Sequence, residues 1–106
     1  MTELNKSIIV KLNKLGIKLR ELRKAKGSLL RQVATYLELD TAVISKFESG
    51  SKRPSELQVI RLADYYEIDK DQLLKLWLCD LVLETVKDKS QALEALHLAE
   101  LELKKK

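Results

Sequence analysis

One cysteine, Cys79, is all the chain has in 106 residues, which excludes an intrachain disulfide and a thiolate metal cluster. One histidine, His97, stands without a second histidine or cysteine at a ligand spacing, so no metal is expected. Long apolar runs are missing as well. The most apolar stretch, Leu73 to Val86, is about 14 residues long and carries Lys75 and Asp80, against the roughly 20 residues that a membrane span needs. At the amino terminus only Ile8-Ile9-Val10 is continuously apolar. That is too short for a signal-peptide core and has no small-residue cleavage site, so a cytoplasmic, reducing setting is expected. No phosphate loop, paired-carboxylate pocket or nucleophile with a base can be assembled, and neither an enzyme nor a cofactor is expected. Apolar and polar residues nowhere alternate with period two around a hairpin turn, which removes β-structure and leaves an all-α chain.

Charge is plentiful and unevenly spread. The net +4 hides ten Lys or Arg against four Asp or Glu from Lys14 to Arg53, and five against eleven from Pro54 to Leu103. The three terminal lysines add three positive charges, and residues 1–13 a net one more. A basic half draws a polyanion such as DNA, and the acidic half keeps it off the remaining surface.

Apolar residues Ile8, Leu12, Leu15, Leu19 and Leu22 recur at helical spacing until Gly27 stops the pattern. Gly16 costs about 1 kcal/mol inside a helix, so a break is expected there, with residues 1–14 as an arm or an extension of the first helix. Ser28 is the expected N-cap of a second helix that turns Leu30, Val33, Ala34 and Leu37 to one face. Asp40 is the expected cap of a third. At 100° per residue the third helix divides in two: Thr41, Ala42, Ser45, Lys46 and Ser49 on one side, Val43, Ile44, Phe47 and Glu48 on the other. The apolar side must be the anchor, which leaves a face of short polar side chains and one lysine outward. A groove floor admits a helix only when the facing side chains are short. Gly50 ends this helix and Ser51-Lys52-Arg53-Pro54 reads as a loop.

Ser55 with Gln58 makes a capping box for a fourth helix with Leu57, Ile60, Leu62 and Ala63 inward, and Asp69 with Gln72 repeats the pattern for a fifth. The fifth is apolar almost all round apart from Asp80, Glu84 and Lys87, so it needs cover on two sides. Ser90 is the expected cap of a last helix that aligns Ala92, Leu93, Leu96, Ala99 and Leu103. The apolar excess of these two helices implies a further partner, and Leu76, Trp77, Leu81, Leu83, Leu93 and Leu96 are the expected dimerisation residues. Tyr65, Tyr66 and Trp77 read as packing residues rather than base-stacking platforms.

The residues LRELRKAKG, then VATYLELDTAVISKFESG, then RP and LADYYEIDKDQLL, resemble the helix-turn-helix domains of the Cro and phage-repressor (XRE) family over about Leu15 to Leu74. The resemblance implies a five-helix domain at 15–74, followed here by a helical extension at 75–106. The second helix of its motif reads the major groove. It places base-reading positions on Thr41, Ala42, Ser45 and Lys46, and phosphate-contacting positions on Ser28, Ser51, Lys52 and Arg53. It also pairs Arg23 with Glu48, which agrees with the need of an anchored acid for a cation. Two positions depart from the family. Leu30 stands where a glutamine usually holds a phosphate, with Arg31 beside it as a substitute, and Glu38 stands where a glycine usually makes the turn. The implied function is a sequence-specific transcriptional regulator, a dimer on a palindromic operator in double-stranded DNA. Antitoxins with a cognate toxin, and controllers of restriction-modification systems, share the fold and stay open. So does an interaction adaptor that has lost DNA binding.

Overall fold

Leu15, Leu19 and Leu22 recur one turn apart, and in a computed structural model that describes residues 13–105 they line the inner side of a continuous helix, α1 (Lys14–Lys26). The described residues form five further helices and no strand: α2 (Leu30–Leu37), α3 (Thr41–Ser49), α4 (Glu56–Tyr66), α5 (Lys70–Val86) and α6 (Ala92–Lys104). No helix among them is long and apolar enough to cross a membrane. The expected break at Gly16 is not there. Gly16 is buried inside α1, where tertiary contact outweighs its poor helix propensity. The expected arm, with Ile8 and Leu12, lies outside the described residues except for its last two positions. α5 runs unbroken through the expected boundary after Leu74.

One core serves α1 to α5. It comprises Leu15, Leu19, Val33, Ala34, Leu37, Ile44, Phe47, Val59, Leu62, Ala63, Tyr66 and Leu73. Leu57 was expected inward and is exposed instead. The buried stripe of α4 is Val59, Leu62, Ala63 and Tyr66, and Leu57 lies about 160° round the helix from Val59.

The capping residues are partly different from those expected. Ser55 and Gln58 form their reciprocal box, Gln58 N donating to Ser55 Oγ (3.1 Å) and Ser55 N to Gln58 Oε1 (2.9 Å). Asp69 accepts from Asp71 N (3.0 Å), one residue earlier than a box would require. Ser28 is not the N-cap of α2. That position is Leu29, whose N–H donates to Gln32 Oε1 (2.7 Å), while Ser28 is captured by the core through Tyr65. Ser90 also falls one residue early, the N-cap of α6 being Gln91.

Glu38 closes α2 in the left-handed region (φ 58°, ψ 43°), where an L side chain costs about 1–2 kcal/mol. Its side chain is exposed and the cap rests on backbone bonds to Ala34 O and Thr35 O. Glu38→Gly is therefore expected to raise stability by about 1 kcal/mol in a urea melt. A fall in the midpoint would show that the carboxylate contributes more than the backbone strain costs.

α5 packs one side on the core, and α6 faces outward. Leu76 and Trp77, expected at a dimer interface, are half-buried against the core of their own chain, because α5 packs that side on α1 and α4. Leu81 and Leu93 are exposed, while Leu83 and Leu96 are half-buried. No residue of α6 is buried, and α6 enters none of the close helix pairings among the described residues. The radius of gyration is accordingly 15.4 Å, against about 13 Å for a compact domain of this length.

Candidate nucleic-acid interface

Thr41, Ala42, Ser45, Lys46 and Ser49 are all exposed on α3, whereas Ile44, Phe47 and Glu48 are buried beneath it. The four expected base-reading residues thus share one solvent face on a helix whose other face is tied down. The ties are specific. Arg23 of α1 grips Glu48 with two bonds, Nε to Oε2 at 2.7 Å and Nη2 to Oε1 at 3.0 Å, and its Nη1 donates to Ser28 O at 3.2 Å. The bond to Glu48 holds the Arg23 pKa above its usual value, against a smaller opposing effect of burial. Asn13 Nδ2 donates to Glu48 O at 3.0 Å, so the start of α1 holds the end of α3. Tyr66 lies against the same pair. Burial, with the Glu48 charge second, pushes its phenol well above the usual value.

Around this helix the expected phosphate-contacting residues have separate fates. Arg31, Ser51 and Lys52 are exposed, Ser51 Oγ lying 3.0 Å from Ser49 Oγ. Arg53 is exposed too, but its guanidinium stacks on Trp77 at 4.2 Å from the ring centroid. Burial against that ring lowers its pKa, and the Asp80 charge opposes the shift. Ser28 does not face outward. It is buried and its Oγ lies 2.7 Å from Tyr65 Oη.

Several supporting residues carry no local signal. Asp80 of α5 receives Lys14 N and Leu15 N on its two carboxylate oxygens, each at 3.0 Å, and so caps α1 from the far end of the sequence. Trp77 Nε1 donates to Pro54 O at 2.8 Å and fixes the loop that carries Lys52 and Arg53. Arg61 of α4 donates to Tyr36 O (2.8 Å) and Leu37 O (3.4 Å), closing the C-terminal turn of α2 next to the strained Glu38. A tryptophan in an apolar helix and an arginine in a mixed one give a sequence reader no hint of such partners. The expected polar strip of α5 contained Asp80, but nothing in the sequence said which amides it meets.

A family described as the helix-turn-helix domain has a model that matches residues 14–76, from the first residue of α1 into the first half of α5. No curated protein and no solved structure matches the chain.

Proposed function

The chain belongs to the helix-turn-helix domain family, a DNA-binding family, and from that premise we propose a sequence-specific transcriptional regulator of the Cro and phage-repressor (XRE) kind, acting as a dimer on a palindromic operator. The observation that carries this reading is α3 itself: short side chains and one lysine outward, Ile44, Phe47 and the ion-paired Glu48 inward. In this reading Thr41, Ala42, Ser45 and Lys46 select bases, and Arg31, Ser51, Lys52 and Arg53 hold phosphates. Ser28 drops out of the phosphate set because Tyr65 occupies its hydroxyl. Arg53 can offer the edge of its guanidinium to a phosphate while the group stacks on Trp77, which preorganises it. Repression or autoregulation follows from occupancy of the operator.

Selection of bound sequences from a random duplex pool tests the reading, and a palindromic consensus is the expected result. On the selected site Lys46→Ala is expected to lose about tenfold in affinity and to relax one base position, with random duplex almost unaffected. Lys52→Ala should weaken both duplexes alike and reduce the salt slope by about one unit. Equal losses on selected and random DNA for Lys46→Ala would remove it from the base-reading set. Salt-independent or absent binding of any duplex would overturn the function as a whole.

A further inference from the structure

Behind the loop that carries Lys52 and Arg53 lies a cavity of about 330 Å³, bounded by the start of α1, the end of α3 and the middle of α5. Its volume is at the lower end of the range of small-molecule sites. Lys52 and Arg53 of the loop and Asp80 and Glu84 of α5 all line it, with Leu15, Pro54 and Leu81 as apolar lining. The four charged groups have bonding capacity to spare among the described residues. Lys52 is exposed, and Arg53 stacks its guanidinium face on Trp77, which leaves the N–H edge for another partner. Asp80 accepts one amide on each oxygen, so each keeps a lone pair. Glu84 meets Lys87 at 3.2 Å on the surface, a pair that contributes little. We propose that this cavity is an effector site for an α-amino acid with an apolar side chain, and that its occupancy weakens DNA binding. The site stands apart from the DNA-binding reading above; its effect rests on that reading.

The distribution of charge selects a zwitterion. The cations come from the loop and the acids from α5, where Asp80 and Glu84 stand one turn apart on one face. A simple anion would be repelled by the two carboxylates, and a simple cation by Lys52 and Arg53. A molecule with both charges meets each wall with the opposite sign: its carboxylate accepts from Lys52 and Arg53, and its ammonium donates to Asp80 and Glu84. The apolar lining takes its side chain. Trp77 donates to Pro54 O at 2.8 Å and stacks on Arg53, so the cationic wall is ordered before a ligand arrives. In the DNA-bound state phosphates claim the same two cations. A ligand carboxylate and a phosphate therefore compete, and linkage makes the loss mutual: the amino acid weakens DNA binding by the factor by which DNA weakens amino-acid binding.

Amide NMR spectra of the whole chain, with each standard amino acid added singly, provide the first test. At least one apolar amino acid is expected to shift the amides of residues 50–54 and of Glu84, saturating by about 10 mM. For leucine, the two one-charge analogues, leucinamide and 4-methylpentanoate, should each bind about tenfold more weakly or worse. Glu84→Gln is expected to weaken amino-acid binding about fivefold and to leave DNA binding without ligand as it was. In fluorescence anisotropy the saturating amino acid should weaken duplex binding about fivefold, the lower end of coupling between linked sites. A zwitterion adds no ionic strength, so screening does not mimic this effect. No saturating shift with any amino acid overturns the site, an analogue that binds as well as leucine overturns the zwitterion, and unchanged DNA affinity at saturation overturns the coupling. The two readings fail separately: a chain that binds an amino acid and no duplex keeps the site and sinks the regulator, and salt-dependent DNA binding without amino-acid shifts does the reverse.

Discussion

Replacing Arg23 by methionine is expected to lower the unfolding free energy by about 3–5 kcal/mol, the cost of stranding one partner of a buried ion pair. The side chains of Arg23 and Glu48 are 15% and 8% exposed, so little solvent screens them. Both carboxylate oxygens are filled by the guanidinium, and the third bond to Ser28 O ties in the turn between α1 and α2. Methionine fills much of the volume and supplies none of these donors. The carboxylate left behind would sit beside the buried Tyr66 ring, in surroundings that already penalise an ionised phenol. Urea unfolding followed at 222 nm measures the loss. Removing both charges, Arg23→Met with Glu48→Met, is expected to recover most of it, because the larger part is the penalty of the orphaned charge rather than the net strength of the pair. A loss below about 1 kcal/mol in the single variant would mean that Glu48 finds water or a proton, and that the pair positions α3 without stabilising the domain.

The features legible beforehand were those with a local period or a short reach. A 100° wheel separated Ile44, Phe47 and Glu48 from Thr41, Ala42, Ser45 and Lys46, and the burial of α3 follows that division. Ser55 and Gln58 are three residues apart and make the box that their chemistry allows. Long-range competition decided the rest. Ser28 follows a glycine and precedes an apolar helix, which is the local signature of an N-cap, but Tyr65, 37 residues later, takes its hydroxyl. Asp80 read only as part of the polar strip of the fifth helix, and folding brings the first amides of α1 to it from 65 residues away. Trp77 read as a packing residue of the expected dimer interface, and its indole N–H donates to Pro54 O within its own chain. A wheel gives an angle within one helix; which neighbour waits at that angle is set by the packing of the others.

Gly16→Ala is the substitution for which local and tertiary reasoning give opposite signs. Within an isolated helix alanine is better by about 1 kcal/mol, and it also restricts the unfolded chain, so local physics expects stabilisation. In the folded protein a Cβ at residue 16 would lie 2.5 Å from Glu48 O and 2.6 Å from Phe47 O, with the Asn13 side-chain oxygen closer still. Ordinary contact begins near 3.4 Å, and two of these three neighbours are backbone at the end of α3, unable to swing aside. Overpacking costs about 1–3 kcal/mol where side chains can adjust, and more where backbone must move. The clash therefore exceeds the propensity gain, and a net loss of about 2 kcal/mol is expected in the same urea measurement. Relief of the contact requires α1 to part from the last turn of α3, which also lengthens the Asn13 bond to Glu48 O and loosens the Arg23 clamp beside it. The damage should therefore reach the outward face: Gly16→Ala is expected to weaken DNA binding under conditions where the variant is still folded, whereas Glu38→Gly, which touches neither helix at this junction, should leave binding unchanged. A stabilised Gly16→Ala protein would show instead that α1 and α3 sit farther apart, and that Gly16 is only the weak point in the helix that its propensity suggests.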